Sequence, residues 1–321
     1  MHQTTHGIGR NARRAKPRFI SRLRIVVVGA ALLLVVAAFR GWLPPAVDHA
    51  VAVVDSVRGS GLSDDATFRA DALYVALYGH PGAPVLGSLG EQDVEASVER
   101  AQRVARDYAG SGRPVVATFE IITTVASESA GADGDYSNEF PESTFQPWID
   151  AAAGAGMHVV LDLQPGRDTF PSQLAEIEGL LAHPHVSLAL DPEWSVGPDE
   201  RPGGGRIGTV DGAEVNATVD ALDQLVRRHD LPPKMLVVHQ FTDSMVTNRS
   251  IIRGTGNVVV LFQMDGFGTL PRKRGSWDRM VADLPPEALT GWKNFYDEDQ
   301  PTPTPDETLA QLPVPTYVSF Q

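Results

Sequence analysis

Short apolar runs recur along the chain, and most of them close on a polar or charged residue. The clearest are Leu73–Tyr78, Val115–Glu120, Met157–Asp162, Val186–Leu190 (followed by Asp191), Met235–Gln240, Asn257–Gln263 and Thr316–Phe320; Leu289–Tyr296 is weaker. Each has the length and content of a buried strand. Between them the apolar spacing changes to that of a helix face. Val94, Val98, Ala101 and Ala105 mark one face over Glu91–Tyr108, and further helices are predicted over Thr144–Ala153 and Ser172–Ala182. Asp211 is placed to cap another that runs to Arg228, with Val215, Val219, Leu222 and Val226 on its apolar side.

Strands that alternate with helices imply right-handed βαβ units and a parallel sheet. Seven or eight units in about 250 residues predict an α/β fold, a (β/α)8 TIM-like barrel. A doubly wound sheet is the other arrangement, but no strand is followed by a G-x-G-x-x-G turn. The chain ends on a strand, so the barrel is expected to be incomplete in its outer helices, with the segment before the first strand covering the gap.

In such a barrel the site lies at the C-terminal ends of the strands. Those ends hold Tyr78 and His80, Glu120, Asp162, Asp191 with Glu193, His239 with Gln240, Gln263 with Asp265, and Tyr296 with Asp297. Side chains alternate across a strand. Val116, Thr118 and Glu120 therefore share a face, as do His158, Val160 and Asp162, and Ser187, Ala189 and Asp191. Carboxylates on three adjacent strands facing one mouth repel each other and raise at least one pKa, which suits general acid/base work. Loops are wet and acids cap helices, so each residue taken singly also has an ordinary structural explanation. Trp194, Phe267, Trp292 and Tyr296 lie beside the mouth in sequence and are candidate platforms for stacking a sugar ring.

Composition adds a location. Eight of the chain's 27 Lys/Arg residues fall within residues 1–40, which hold no acid; the remainder has 19 basic against 40 acidic residues. So acidic a body argues against nucleic-acid binding. The basic stretch 1–24 reads as a cytoplasmic tail. Uncharged Ile25–Phe39 marks 25–40 as a transmembrane anchor or signal sequence, followed by a linker over 41–68 and the barrel over 69–321. The expected body therefore lies outside the cytoplasm, held at the membrane or secreted. With no cysteine, disulfides, thiolate metal sites and cysteine nucleophiles are excluded.

Asp191-Pro192-Glu193 resembles the D-x-E that ends the fourth strand of chitinase-like glycoside hydrolases, and Gln263-Met264-Asp265 is similar to their Met-x-x-Asp neighbourhood. The resemblance implies that Glu193 protonates the glycosidic oxygen, that Asp191 tunes it, and that Asp265 and Tyr296 position the sugar. Ala189 stands where that family has another aspartate, and its S-x-G-G is missing at the third strand.

Other chemistries find less support. His183-Pro184-His185 precedes the fourth strand, at the wrong end of the barrel for catalysis. No G-x-S-x-G elbow offers a serine nucleophile, and Gly203–Gly205 lacks the Lys-Ser/Thr of a phosphate loop. The expectation is a glycoside hydrolase that needs no cofactor and acts on a polysaccharide. Glu193 is its acid and Asp162, Asp265 or Glu120 the second carboxylate, with Tyr78, His80, His239, Gln240 and Gln263 contacting substrate. A non-catalytic barrel that binds glycan or an envelope partner is the alternative, and a metal-dependent hydrolase using Asp162, Asp191 and Glu193 is a third.

Overall fold

The computed structural model describes residues 61–321. Eight parallel strands close into a barrel: β1 (Leu73–Gly79), β2 (Val115–Ile122), β3 (His158–Leu163), β4 (Val186–Leu190), β5 (Lys234–Gln240), β6 (Val258–Met264), β7 (Leu289–Asn294) and β8 (Tyr317–Phe320). Each strand pairs with its sequence neighbours, and β8 closes on β1 through Tyr74 opposite Tyr317 and Leu77 opposite Phe320. The chain is thus an α/β protein with a TIM-like barrel, as the alternation of strand and helix periods predicts.

The helices are α1 (Val94–Arg106), α2 (Gln146–Gly154), α3 (Phe170–Glu176), α4 (Glu178–Leu181), α5 (Gly212–His229), α6 (Leu270–Ala282) and α7 (Pro305–Leu309). Asp93 caps α1 by accepting from the Ala96 amide at 2.9 Å, and Asp211 caps α5 by accepting from Ala213 at 2.8 Å. The α6 helix has no counterpart in the apolar pattern. Its sequence contains Pro271, Gly275 and four basic residues, and only Lys273, Trp277 and Met280 are buried. Pro271 sits in the first turn, where its missing N–H costs nothing.

Strand alternation separates two cores. Outward-facing Leu73, Val75, Leu77, Phe119, Leu161, Leu188 and Phe262 pack beneath the helices, among one large apolar cluster. Inward-facing Tyr74, Ala76, Val116, Val160, Ala189, Met235, Val237, Leu261 and Tyr317 fill the barrel itself. The interior is therefore a packed plug with polar residues above it, not a channel.

Residues 61–68, which composition groups with the linker, form the floor of this plug. Phe68 stacks on Tyr74 with ring centroids 5.7 Å apart, and the Ser63 amide donates to Val115 O at 2.8 Å. His158 Nδ1 lies 2.7 Å from Ala66 O and its Nε2 2.9 Å from Ser187 Oγ. Burial pushes the His158 pKa down to about 3, so the ring stays neutral and donates through Nδ1. The proposed tail and anchor (1–24 and 25–40) and most of the linker lie outside the described residues. No helix among the described residues is long and apolar enough to cross a membrane.

Candidate functional site: a ring of carboxyl groups around His239 and Lys293

The alternation that fills the barrel also delivers its chemistry. Toward their C-terminal ends the inward positions of seven of the strands turn polar. These are Tyr78 on β1, Glu120 on β2, Asp162 on β3, His239 on β5, Gln263 on β6, Lys293 on β7 and Ser319 on β8, while Asp191 and Asp265 stand just past β4 and β6. Glu120, Asp162 and His239 are fully buried, and Asp191, Asp265 and Lys293 nearly so.

His239 is the centre of the cluster. Its Nδ1 lies 2.7 Å from Asp265 Oδ2, while its Nε2 is 3.0 Å from Glu120 Oε1 and 3.7 Å from Asp162 Oδ1. The Glu120 approach is a charge contact, since neither atom forms an aligned hydrogen bond. Lys293 Nζ is 3.4 Å from the same Asp265 oxygen and 3.5 Å above the centre of the Tyr78 ring, a cation–π contact removed from water. The Tyr78 hydroxyl donates to Asp162 Oδ2 at 3.1 Å, and Gln263 Nε2 donates to Ser319 Oγ at 2.9 Å.

Five carboxyl groups thus share a low-dielectric mouth with two cations, and protonation makes up the difference. Burial opposes charge on His239, but Asp265, Glu120 and Asp162 outweigh it and hold the ring as imidazolium. Burial likewise opposes Lys293, and Asp265 with the other acids keeps it charged. Burial would raise Asp265, yet His239 and Lys293 pull it below the ordinary carboxylate range. The remaining acids go the other way. Burial, aided by Asp191 and Glu120, lifts Asp162 well above its usual value. Burial and Glu193 push Asp191 up to about 8. Burial raises Glu193 to about 7 against the pull of Lys293. Asp265, held below its ordinary value, therefore stands beside Asp162, Asp191 and Glu193, all held above theirs. Environments that drive paired acids apart in this way mark acid and base roles.

Glu193 differs from the others in being partly exposed. It occupies a single 3₁₀ turn, Pro192–Trp194, after β4. The Gly208 amide donates to Glu193 O at 2.7 Å, and Thr209 N to Ser195 O at 2.9 Å. A Cβ at Gly208 would overlap the carbonyl oxygens of Pro192, Ser195 and Glu193, so only glycine lets the returning loop brace this turn.

Among the predicted site residues, Glu120, Asp162, Asp191, Glu193, Asp265, Tyr78, His239 and Gln263 converge on one mouth. Phe267 is 47% exposed after β6, its ring centroid 5.9 Å from Phe295, and Trp194 is partly exposed beside Glu193; both suit a rim. Four expectations need correction. Trp292 has the opposite parity to Lys293 and is wholly buried outside the barrel, 5.6 Å from the Trp277 ring, with Nε1 bonded to Asn294 Oδ1 at 2.8 Å. Gln240 also points outward, its Oε1 accepting from Arg249 at 3.0 Å. His80 is buried beside the barrel, with Nδ1 2.8 Å from Ile122 O and its ring against Phe140 at 4.6 Å. Tyr296 leans outward on Phe320 beneath Arg100 of α1, away from the carboxyl ring.

Lys293, Tyr317 and Ser319 were not singled out by the sequence. The alternation Leu289, Gly291, Lys293 carries the signal, since a lysine at the inward end of a strand has no other reason to be there. Asp162, Asp191 and Glu193 do not bring one ligand atom each within 4.8 Å of the others. Among the described residues, the acids whose ligand atoms come within 4.8 Å of one another are Asp133, Asp135 and Glu139, in the largely exposed excursion after β2. His183 and His185 lie at the floor, where His185 Nε2 meets Ile149 O at 3.2 Å.

Fold and site together define a TIM-like barrel with a buried cluster of carboxyl groups around His239 and Lys293 at its C-terminal mouth. No protein-family model matches the chain, and no curated protein matches it.

Proposed function

We propose that this protein is a glycoside hydrolase using carboxyl acid/base chemistry on a polysaccharide outside the cytoplasm, with residues 25–40 as its membrane anchor or export signal. The observation that carries the reading is the split between Glu193, partly exposed with its pKa raised to about 7, and buried, ionised Asp265. Glu193 holds a proton at the lip of the mouth, where a glycosidic oxygen can reach it, and acts as the acid. Asp265, oriented through Oδ2 by His239 and Lys293, is the second carboxylate. Oδ1 of Asp265 has no hydrogen-bond partner and remains for the sugar or its water. Asp191 is the buried carboxyl behind the acid, and Glu193 in turn helps to lift its pKa. Phe267 and Trp194 supply stacking surface at the rim.

The test is turnover of a glycan panel by the full-length protein and by Glu193→Gln. The variant is expected to lose about 10²–10⁴-fold in kcat. Wild-type kcat falls as pH rises through about 7, where Glu193 gives up its proton. Undiminished activity in Glu193→Gln overturns the assignment. Saturable glycan binding with no turnover points to the non-catalytic barrel, and loss of activity on chelation to the metal enzyme.

A further inference from the structure

The mouth is short of hydrogen-bond donors and of positive charge. Glu120 Oε2, Asp162 Oδ1, Asp191 Oδ1, Asp265 Oδ1 and Gln263 Oε1 are all buried oxygens without a partner. Two unpartnered donors stand in the same cluster, His239 Nε2 and the Tyr317 hydroxyl, and both face Glu120. That leaves the oxygens of Asp162, Asp191, Asp265 and Gln263 to be met by whatever occupies the site, because buried polar atoms left unpaired are costly. Charge points the same way: His239 and Lys293 both bear on Asp265, whereas Asp191 and Glu193 have no ion-pair partner among the described residues and Asp162 meets only His239, at 3.7 Å. Tyr78 and Tyr317, the other titratable groups in the ring, are kept neutral by burial and the surrounding carboxyls.

We propose that the saccharide held in this mouth carries a free, protonated amine, seated against Asp191 and Asp162, so that the substrate is an amino sugar rather than an N-acylated or uronic one. An ammonium supplies three donors and the missing positive charge in one group. As it enters, the protonated carboxyl groups it meets give up protons to solvent and become its counter-ions. An acetamido group would bring one donor and a further acceptor, and a uronic carboxylate would add a sixth acid to the ring. This inference rests on the saccharide reading above, but it is tested by binding rather than by turnover.

The experiment uses full-length Glu193→Gln protein, which keeps a neutral side chain at the lip and prevents hydrolysis. At pH 6, calorimetry compares a β-1,4-linked glucosamine oligosaccharide with its fully N-acetylated counterpart and with an oligouronate. The amine-bearing chain is expected to bind about tenfold or more tighter. Its binding heat depends on the ionisation enthalpy of the buffer, the mark of proton release, and a second substitution, Asp191→Asn, reduces the preference below about threefold. Equal or tighter binding of the N-acetylated or uronic chain, binding without proton release, or no binding of the glucosamine chain overturns the proposal. The two readings fail separately. If the wild type cleaves a neutral or N-acetylated glycan and ignores the amine, the hydrolase stands and this inference falls. Amine-dependent binding with no turnover of any glycan gives the reverse.

Discussion

Removing Lys293 tests the electrostatic account of the mouth most directly. In Lys293→Met the stem keeps its volume over Tyr78, but Asp265 loses one of its two cations. Breaking a buried pair from one side typically costs about 3–5 kcal/mol. Here protonation sets a ceiling, because Asp265 can take up a proton as its neighbours do. Starting from an unfolded pKa of about 3.9, that proton costs about 4 kcal/mol at pH 7 and about 1.5 kcal/mol at pH 5. The sign follows from linkage. In the wild type, folded Asp265 lies below its unfolded value, so its contribution is complete above pH 4 and is lost only as pH falls further. In the variant the folded carboxyl holds a proton that the unfolded one does not, so stability declines as pH rises. Denaturant unfolding of both proteins at pH 5, 6 and 7 reads the difference. The loss of stability should grow by up to about 2.5 kcal/mol across that range. A deficit of the same size at every pH would falsify the claim that protons make up the missing charge.

Further outcomes follow from other parts of the molecule. Gly208→Ala pushes on the turn that carries Glu193, so kcat is expected to fall about 10²-fold or more while KM changes little, as measured by steady-state kinetics. Trp292→Phe should lower unfolding free energy by about 1–3 kcal/mol and leave glycan affinity unchanged, whereas Phe267→Ala does the reverse; denaturation and calorimetry on each variant separate core from rim. Lys234 is buried at the floor with its Nζ on the carbonyls of His183 and Val186, and burial takes its pKa down to about 7. Between pH 7 and 9 the unfolded lysine keeps a proton that the folded one has shed, so this group makes stability rise with pH. Lys234→Met should remove that positive contribution from the stability–pH curve, and an unchanged curve would contradict it.

How much of this was legible in the chain follows from what each residue's neighbours allow. The strands were readable because interior and exterior positions are both apolar, so each strand appears as an unbroken run with a polar stop. The inward parity of Glu120, Asp162 and Asp191 followed from the same runs, since nothing interrupts the alternation between the core and the mouth. Beyond the last paired residue that rule lapses. Whether Tyr296 or His80 turns inward depends on loop packing that has no period, and both turn away. Trp292 was misplaced for a different reason. Aromatic character suggested stacking, but parity within β7 gives the axis to Lys293 and the helix layer to Trp292. The α6 helix escaped because a helix that buries only three side chains, one of them a lysine, leaves almost no apolar stripe to read. Its Lys273 instead meets Asp299 at 2.5 Å beneath the mouth, a pairing between residues 26 positions apart that no local pattern encodes.

The floor made by residues 61–68 also fixes a direction. Phe68, Ser63 and Ala66 bind at the end of the barrel opposite the carboxyl ring, so the chain arrives from behind the site. Whatever is joined ahead of residue 61 therefore meets the barrel on its closed face and leaves the rim of the carboxyl ring clear.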